Sequence, residues 1–154
     1  MTKITAKNQM TQYLQDAHIL QLATTRDNKP WICSLHYAVD NGGNIYWITK
    51  STTRHSEDIA VNSATAITVA VKTDRPLIGL QIEGDSEVVS DMKDRKTAMK
   101  TYVERHGTSK DFADLIIAGT NDHKLYKFTP KKFVLFDQVN FPDHPSNEWT
   151  ADNT

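Results

Sequence analysis

The densest concentration of hydrogen-bond donors in the chain is Lys50-Ser51-Thr52-Thr53-Arg54-His55-Ser56. Ile45 to Thr49 reads as a strand and Thr53 to Asn62 as a short helix, so these donors lie where a strand gives way to a helix. At such a junction free backbone N–H groups, the positive end of the helix dipole, several hydroxyls and a guanidinium can converge on one anion, and a phosphate fits. The same residues also make an ordinary hydroxyl N-cap with solvated neighbours, and the pattern alone leaves both readings open. Cys33 and His36 have the residue types of a nucleophile and its base. On a strand, residues three apart point to opposite faces, so the two do not meet and Cys33 reads as a small buried side chain. The six histidines, His18, His36, His55, His106, His123 and His144, are scattered without the i, i+4 spacing of a helical metal pair, and no metal site is expected. Gly79 and Gly84 sit inside a predicted strand, where glycine marks a bulge, a sharp bend or a close approach of ligand to backbone.

The elements that must hold these residues are mostly strands. Met10, Tyr13, Leu14 and Ala17 form the stripe of an opening amphipathic helix. Ile19 to Thr24 is an apolar strand, followed by turn chemistry at Arg26-Asp27-Asn28-Lys29-Pro30 and a second strand from Trp31 to Val39. Asp40-Asn41-Gly42-Gly43-Asn44 turns the chain back into the strand that precedes the donor cluster. Strands are then expected over Ala66 to Val71 and Leu77 to Val89. A helix capped by Ser90-Asp91 follows, with Ala98, Met99, Tyr102 and Val103 on one face, and a shorter one spans Lys110 to Ala118. Leu125 to Phe128 and Phe133 to Phe136 read as two strands split by Thr129-Pro130-Lys131-Lys132. This order predicts a mainly β (α+β) fold with an antiparallel, closed or half-closed barrel.

Composition bounds the function. The 154 residues allow one domain with a core of its own. Eighteen basic and nineteen acidic residues leave a net charge of −1, which argues against a surface built wholly for nucleic acid or anionic membrane. Trp31 and Trp47 offer stacking rings for single-stranded nucleic acid but lack surrounding positive charge. One cysteine excludes an internal disulfide. No apolar run reaches membrane-spanning length and the start lacks the apolar core of a secretory signal, so a reduced, cytoplasmic setting is expected. The last twenty-two residues carry four acids and no Lys or Arg, yet include Phe141 and Trp149, which need a surface to cover.

Several of these stretches, taken in order, resemble a known family. Ile19-Leu20-Gln21-Leu22-Ala23-Thr24, the turn, and Pro30-Trp31-Ile32-Cys33-Ser34-Leu35 are similar to the opening of the pyridoxamine 5′-phosphate oxidase-like FMN-binding split barrels. The strand Asn44 to Thr49, the Thr53-Arg54-His55 start of the helix and the later Gln81-Ile82-Glu83-Gly84-Asp85-Ser86-Glu87-Val88 continue the likeness. The Thr-Arg-His triplet and the ending Lys-Phe-x-Leu-Phe-Asp are most similar to a short, uncharacterised bacterial branch. The resemblance covers about residues 10–140. It implies a six-stranded antiparallel split β-barrel over residues 1–138 with N-terminal and peripheral helices, and a tail, 139–154, packing at a dimer interface. It implies a homodimer holding FMN in the grooves between subunits. Carried over by position, Arg54 and His55 sit on the FMN phosphate with Thr49, Ser51 and Thr53. Ser34 and Leu35 line the flavin edge, Gln81 and Glu83 approach the ring or ribityl chain, and Phe141 and Trp149 close the groove from the partner.

Two departures qualify what the resemblance implies. The family's lysine beside the arginine is His55 here, and a neutral imidazole supplies less charge against a phosphate. No arginine follows Arg105, whereas pyridoxamine phosphate oxidases use a late Arg-x-His segment for the substrate phosphate, so vitamin B6 oxidation is not expected. The leading expectation is a flavin-dependent oxidoreductase of an unidentified small molecule, with no general acid or base assignable. The alternative is a non-catalytic binding or sensing module for haem, deazaflavin or another planar ligand, with His18, His36 or His123 as an axial ligand for haem.

Overall fold

The computed structural model describes residues 3–151. Helix α1 (Ala6–Asp16) leads into β1 (Ile19–Arg26), β2 (Lys29–His36), β3 (Ala38–Val39) and β4 (Ile45–Lys50). Helix α2 (Arg54–Val61), strands β5 (Ala64–Lys72) and β6 (Ile78–Val88), and helices α3 (Met92–His106) and α4 (Lys110–Ala118) follow. The chain then adds β7 (His123–Asp137) and β8 (Ser146–Thr150). The strands form one antiparallel sheet in the order β2-β1-β5-β6-β7-β4-β3, with β8 added to β7. The sheet is curled into a half-barrel with four helices, which agrees with the half-closed α+β barrel expected from the order of elements and with the split barrel that the resemblance implies.

Consecutive strands β2 and β3 stand at opposite ends of the strand order, so the sheet is split between them at Tyr37. Tyr37 is buried. Its hydroxyl donates to the Leu14 carbonyl at 2.8 Å, which pins the crossing beneath α1. The β1–β2 hairpin turns on Asp27 and Asn28, both at positive φ, the two-residue turn whose twist suits paired strands. Every second residue of β1, Leu20, Leu22 and Thr24, faces the interior beside Ile67, Val69, Leu80, Ile82 and Leu135. A second cluster, Met99, Ala113, Ile116 and Leu125, packs α3 and α4 beyond the barrel.

Three expectations change. Six long strands are present, but β3 and β8 add two short ones. The predicted break at Thr129–Lys132 is a bulge within one continuous β7: Gly84 faces Pro130 while Glu83 faces Lys132, which leaves Lys131 as the extra residue. Proline is tolerated at a bulge, and a Cβ at Gly84 would run into the Thr129 carbonyl and the Phe128 ring. The tail, set apart from the barrel in the sequence reading, contributes a strand to it: β8 pairs in register with Lys132 to Phe136 of its own chain.

Candidate functional site

Strand β4 ends at Lys50 and α2 begins after three intervening residues, because Thr53 is an N-cap: its Oγ1 accepts the Ser56 backbone N–H at 3.3 Å. The Ser56 hydroxyl donates back to the Lys50 carbonyl at 2.8 Å. His55, only 8% exposed, is turned inward, with Nε2 at 3.0 Å from Thr49 Oγ1 and 3.1 Å from Thr53 Oγ1. Burial holds its pKa below the ordinary value, although the Asp58 charge acts in the opposite direction. Thr49, His55 and Thr53 therefore knit the strand–helix turn together instead of presenting three free donors. His55, which the resemblance puts on a phosphate, is seen here in this supporting position. Ser51 and Arg54 remain exposed, and Lys50 lies 3.7 Å from Asp122 at the surface.

Arg54, the first residue of α2, does not lean toward the cap. Its Nε is 3.7 Å from Asp58 one turn along the helix, and its guanidinium lies 4.5 Å over the Trp31 ring. Asp58 is wholly buried. It also receives the Thr24 hydroxyl at 2.8 Å and stands 3.2 Å from the Nε of Arg26 at the end of β1. The i, i+4 spacing of Arg54 and Asp58 was visible in the sequence; the convergence of Arg26, Thr24 and Trp31 on them required the fold.

The remaining predicted residues divide between the two faces of the sheet. Pairing registers place Ser34, Gln21, Thr68, Gln81 and Val134 in one cross-strand row, and Ile32, Ala23, Ala66, Glu83 and Lys132 in the next. Both rows lie on the outer face, opposite Leu20, Leu22 and Leu80, and they border a shallow depression of about 370 Å³. Ile32 is 62% exposed there. Leu35 alternates to the inner face with Cys33 and Trp31, and burial pushes the Cys33 thiol up to about 11. Cys33 and His36 thus point apart, as strand alternation predicts. Trp149 stacks on Phe133 of its own chain at 5.3 Å between ring centroids, and Phe141 packs on the same core. Among the described residues, no group of three or more His, Cys, Asp or Glu side chains is placed to hold a metal ion. No described helix is long and apolar enough to cross a membrane.

Comparison with solved structures shows the fold. A haem-binding protein from Mycobacterium smegmatis superposes with a TM-score of 0.79 at 14% identity, over 97% of this chain and 60% of that one. This chain thus spans three-fifths of that relative. A conserved hypothetical protein from Mycobacterium tuberculosis gives 0.75 at 15% identity, covering 98% and 94% of the two chains. A protein of the pyridoxinephosphate oxidase family from Clostridium acetobutylicum, related to a general stress protein of Bacillus subtilis, gives 0.67 at 15% identity, covering 97% and 98%. No curated protein sequence matches the chain. The sequence profile of pyridoxamine 5′-phosphate oxidase matches residues 6–135, spanning the barrel from α1 through most of β7, and the chain belongs to that family.

Proposed function

We propose that the protein binds FMN as a homodimer and passes a hydride or electrons through it to a small molecule. The observation that carries this reading is the division of the site over two faces. Arg54 and Trp31 stand at the α2 junction, while Ser34, Gln81 and Glu83 occupy the outer face of the sheet. One protomer keeps these groups apart, so a groove that uses both sets needs a second copy. The outer face suits self-association: Ile32, Ala23 and Ala66 form an apolar strip, and the neighbouring Glu83 and Lys132 have opposite charges that a two-fold axis can cross-match.

The residues present fit the phosphate end of FMN. Arg54 has its guanidinium plane set by Trp31, and the exposed Ser51 hydroxyl lies near the same helix start. Thr49, Thr53 and His55 hold that turn in place from beneath. Ser34 and Gln81 offer side-chain donors and acceptors to a ring edge, and Glu83 adds acceptors. Bound flavin supplies the redox chemistry, while the protein binds it, orients it and limits water around it. Phe141 and Trp149, packed on their own barrel, belong to the wall of the fold and reach a groove only where the tail borders the partner. The absence of arginine beyond Arg105 keeps pyridoxamine phosphate outside the proposal.

Titrating the purified protein into micromolar FMN and riboflavin tests the reading. Flavin fluorescence should change with FMN, and Arg54→Ala should weaken FMN more than riboflavin, since only FMN has the phosphate. An unchanged FMN signal sinks the assignment; equal weakening of both removes Arg54 from the phosphate.

A second reading has its own observation. The structurally similar Mycobacterium smegmatis protein binds haem, and His36 is exposed on the outer face in the row next to Ser34, where an imidazole could reach an iron. The absorbance spectrum of the protein as purified separates flavin, deazaflavin and haem.

A further inference from the structure

Asp58 is surrounded by more positive charge than it needs. It is one carboxylate, 0% exposed, and the Thr24 hydroxyl already donates to its Oδ2. One guanidinium would neutralise it, yet Arg26 and Arg54 both reach it, from the end of β1 and the start of α2. The cluster keeps a net charge of +1. Each arginine approaches Asp58 through Nε, and among the described residues no hydrogen bond occupies the terminal Nη groups. The two side chains are 35% and 39% exposed, so those unoccupied edges can meet solvent or a ligand. Asp58 Oδ1 receives no aligned hydrogen bond despite its burial, so it holds Arg26 by charge and leaves that fork's N–H groups uncommitted. Trp31 fixes the plane of the second fork.

We infer that Arg26 and Arg54 form one clamp for a phosphate monoester, with Asp58 as the positioning residue that aims both guanidiniums without touching the ligand. Planar forks with free Nη edges suit the oxygens of a phosphate dianion, and the net positive charge left over from Asp58 offsets part of its charge. This inference rests on the flavin reading for the name of its ligand and deepens it. It also answers the departure at His55. The cation expected beside Arg54 is supplied from another strand, because the imidazole at that position is committed to Thr49 and Thr53.

The test follows the arginine Nε–Hε signals of the full ¹⁵N-labelled chain by NMR during titration with inorganic phosphate, with FMN and riboflavin titrated in parallel by fluorescence. The Arg26 and Arg54 signals should move along one saturation curve in the unmutated protein. Arg26→Gln should weaken phosphate and FMN about tenfold or more and leave riboflavin unchanged, with Arg26→Lys recovering part of the loss. A phosphate titration that moves Arg54 alone, or neither signal, overturns the clamp, as does equal weakening of FMN and riboflavin by Arg26→Gln. If phosphate moves both signals and neither flavin binds, the clamp stands and the flavin reading falls.

Discussion

The α2 junction and the outer sheet face carry the same kinds of residue in opposite states. At the junction Thr24, Thr49, Thr53, His55, Ser56 and Asp58 bond to one another, and most are buried. On the outer face Ser34, Gln81 and Glu83 are exposed, and Ser34 meets Gln21 only at a marginal 3.5 Å. Polar groups that satisfy one another build rigid structure. Polar groups left open beside an apolar strip serve as surface for something else. The junction should therefore respond to mutation in stability, and the face in association.

The largest loss is expected at Asp58. Asp58→Ala removes the counter-charge of two guanidiniums and the acceptor of the Thr24 hydroxyl, and should lower unfolding free energy by about 3–5 kcal/mol in urea titration. A loss below about 1 kcal/mol would reduce the cluster to a surface ion pair. Gly84→Ala, at the bulge between the two regions, drives a methyl group into the Thr129 carbonyl and the Phe128 ring and should destabilise by about 1–3 kcal/mol. Thr53→Ala removes the N-cap of α2 and one partner of His55, and about 1 kcal/mol should be lost in the same assay.

Acid should act on the junction before the face. His55 has a folded pKa below its ordinary value of 6.5, burial being the main cause, and burial also depresses His106 where it meets the Tyr37 carbonyl. The unfolded chain then binds protons that the folded one refuses, so stability is full above about 6.5 and falls as pH drops toward the depressed values. Urea midpoints from pH 7.5 to 5 should decline, and His55→Gln should flatten the slope; an unchanged slope would mean that His55 is not the buried neutral imidazole described. The smallest effect on stability belongs to Ile32→Asp, within about 0.5 kcal/mol, although the variant should run as a monomer in size-exclusion chromatography. An unfolded Ile32→Asp would erase the contrast between the two regions.

Much of the scaffold was legible because its signals are local. The α1 stripe buries Met10 and Leu14, Asp27-Asn28 makes the first hairpin turn, and Ser109 with Gly119 brackets α4. The bulge in β7 was hidden because Pro130 next to two lysines has turn composition, and only the glycine paired opposite it, Gly84 on β6, far away in the sequence, lets the strand continue. Strand β8 was hidden by its polar composition; its backbone pairing and the Trp149–Phe133 stack create it. At the site, the helix cap and the place of Arg54 at the start of α2 were legible. The inward turn of His55 was not, because the buried face of α2 is built from His55, Ser56, Asp58 and Ile59, mostly polar types whose burial depends on partners brought by β1 and β4.

A groove shared between two copies is the central requirement for FMN binding, and mixed dimers test it directly. Arg54→Gln removes the junction half of the groove, and the Ser34→Ala, Gln81→Ala double variant removes the face half, so each protein alone should bind FMN poorly. Unfolding the two together and refolding them should restore tight FMN binding in part, because mixed dimers regain one groove with both halves intact. A mixture that binds no better than the two separate proteins would contradict the shared groove.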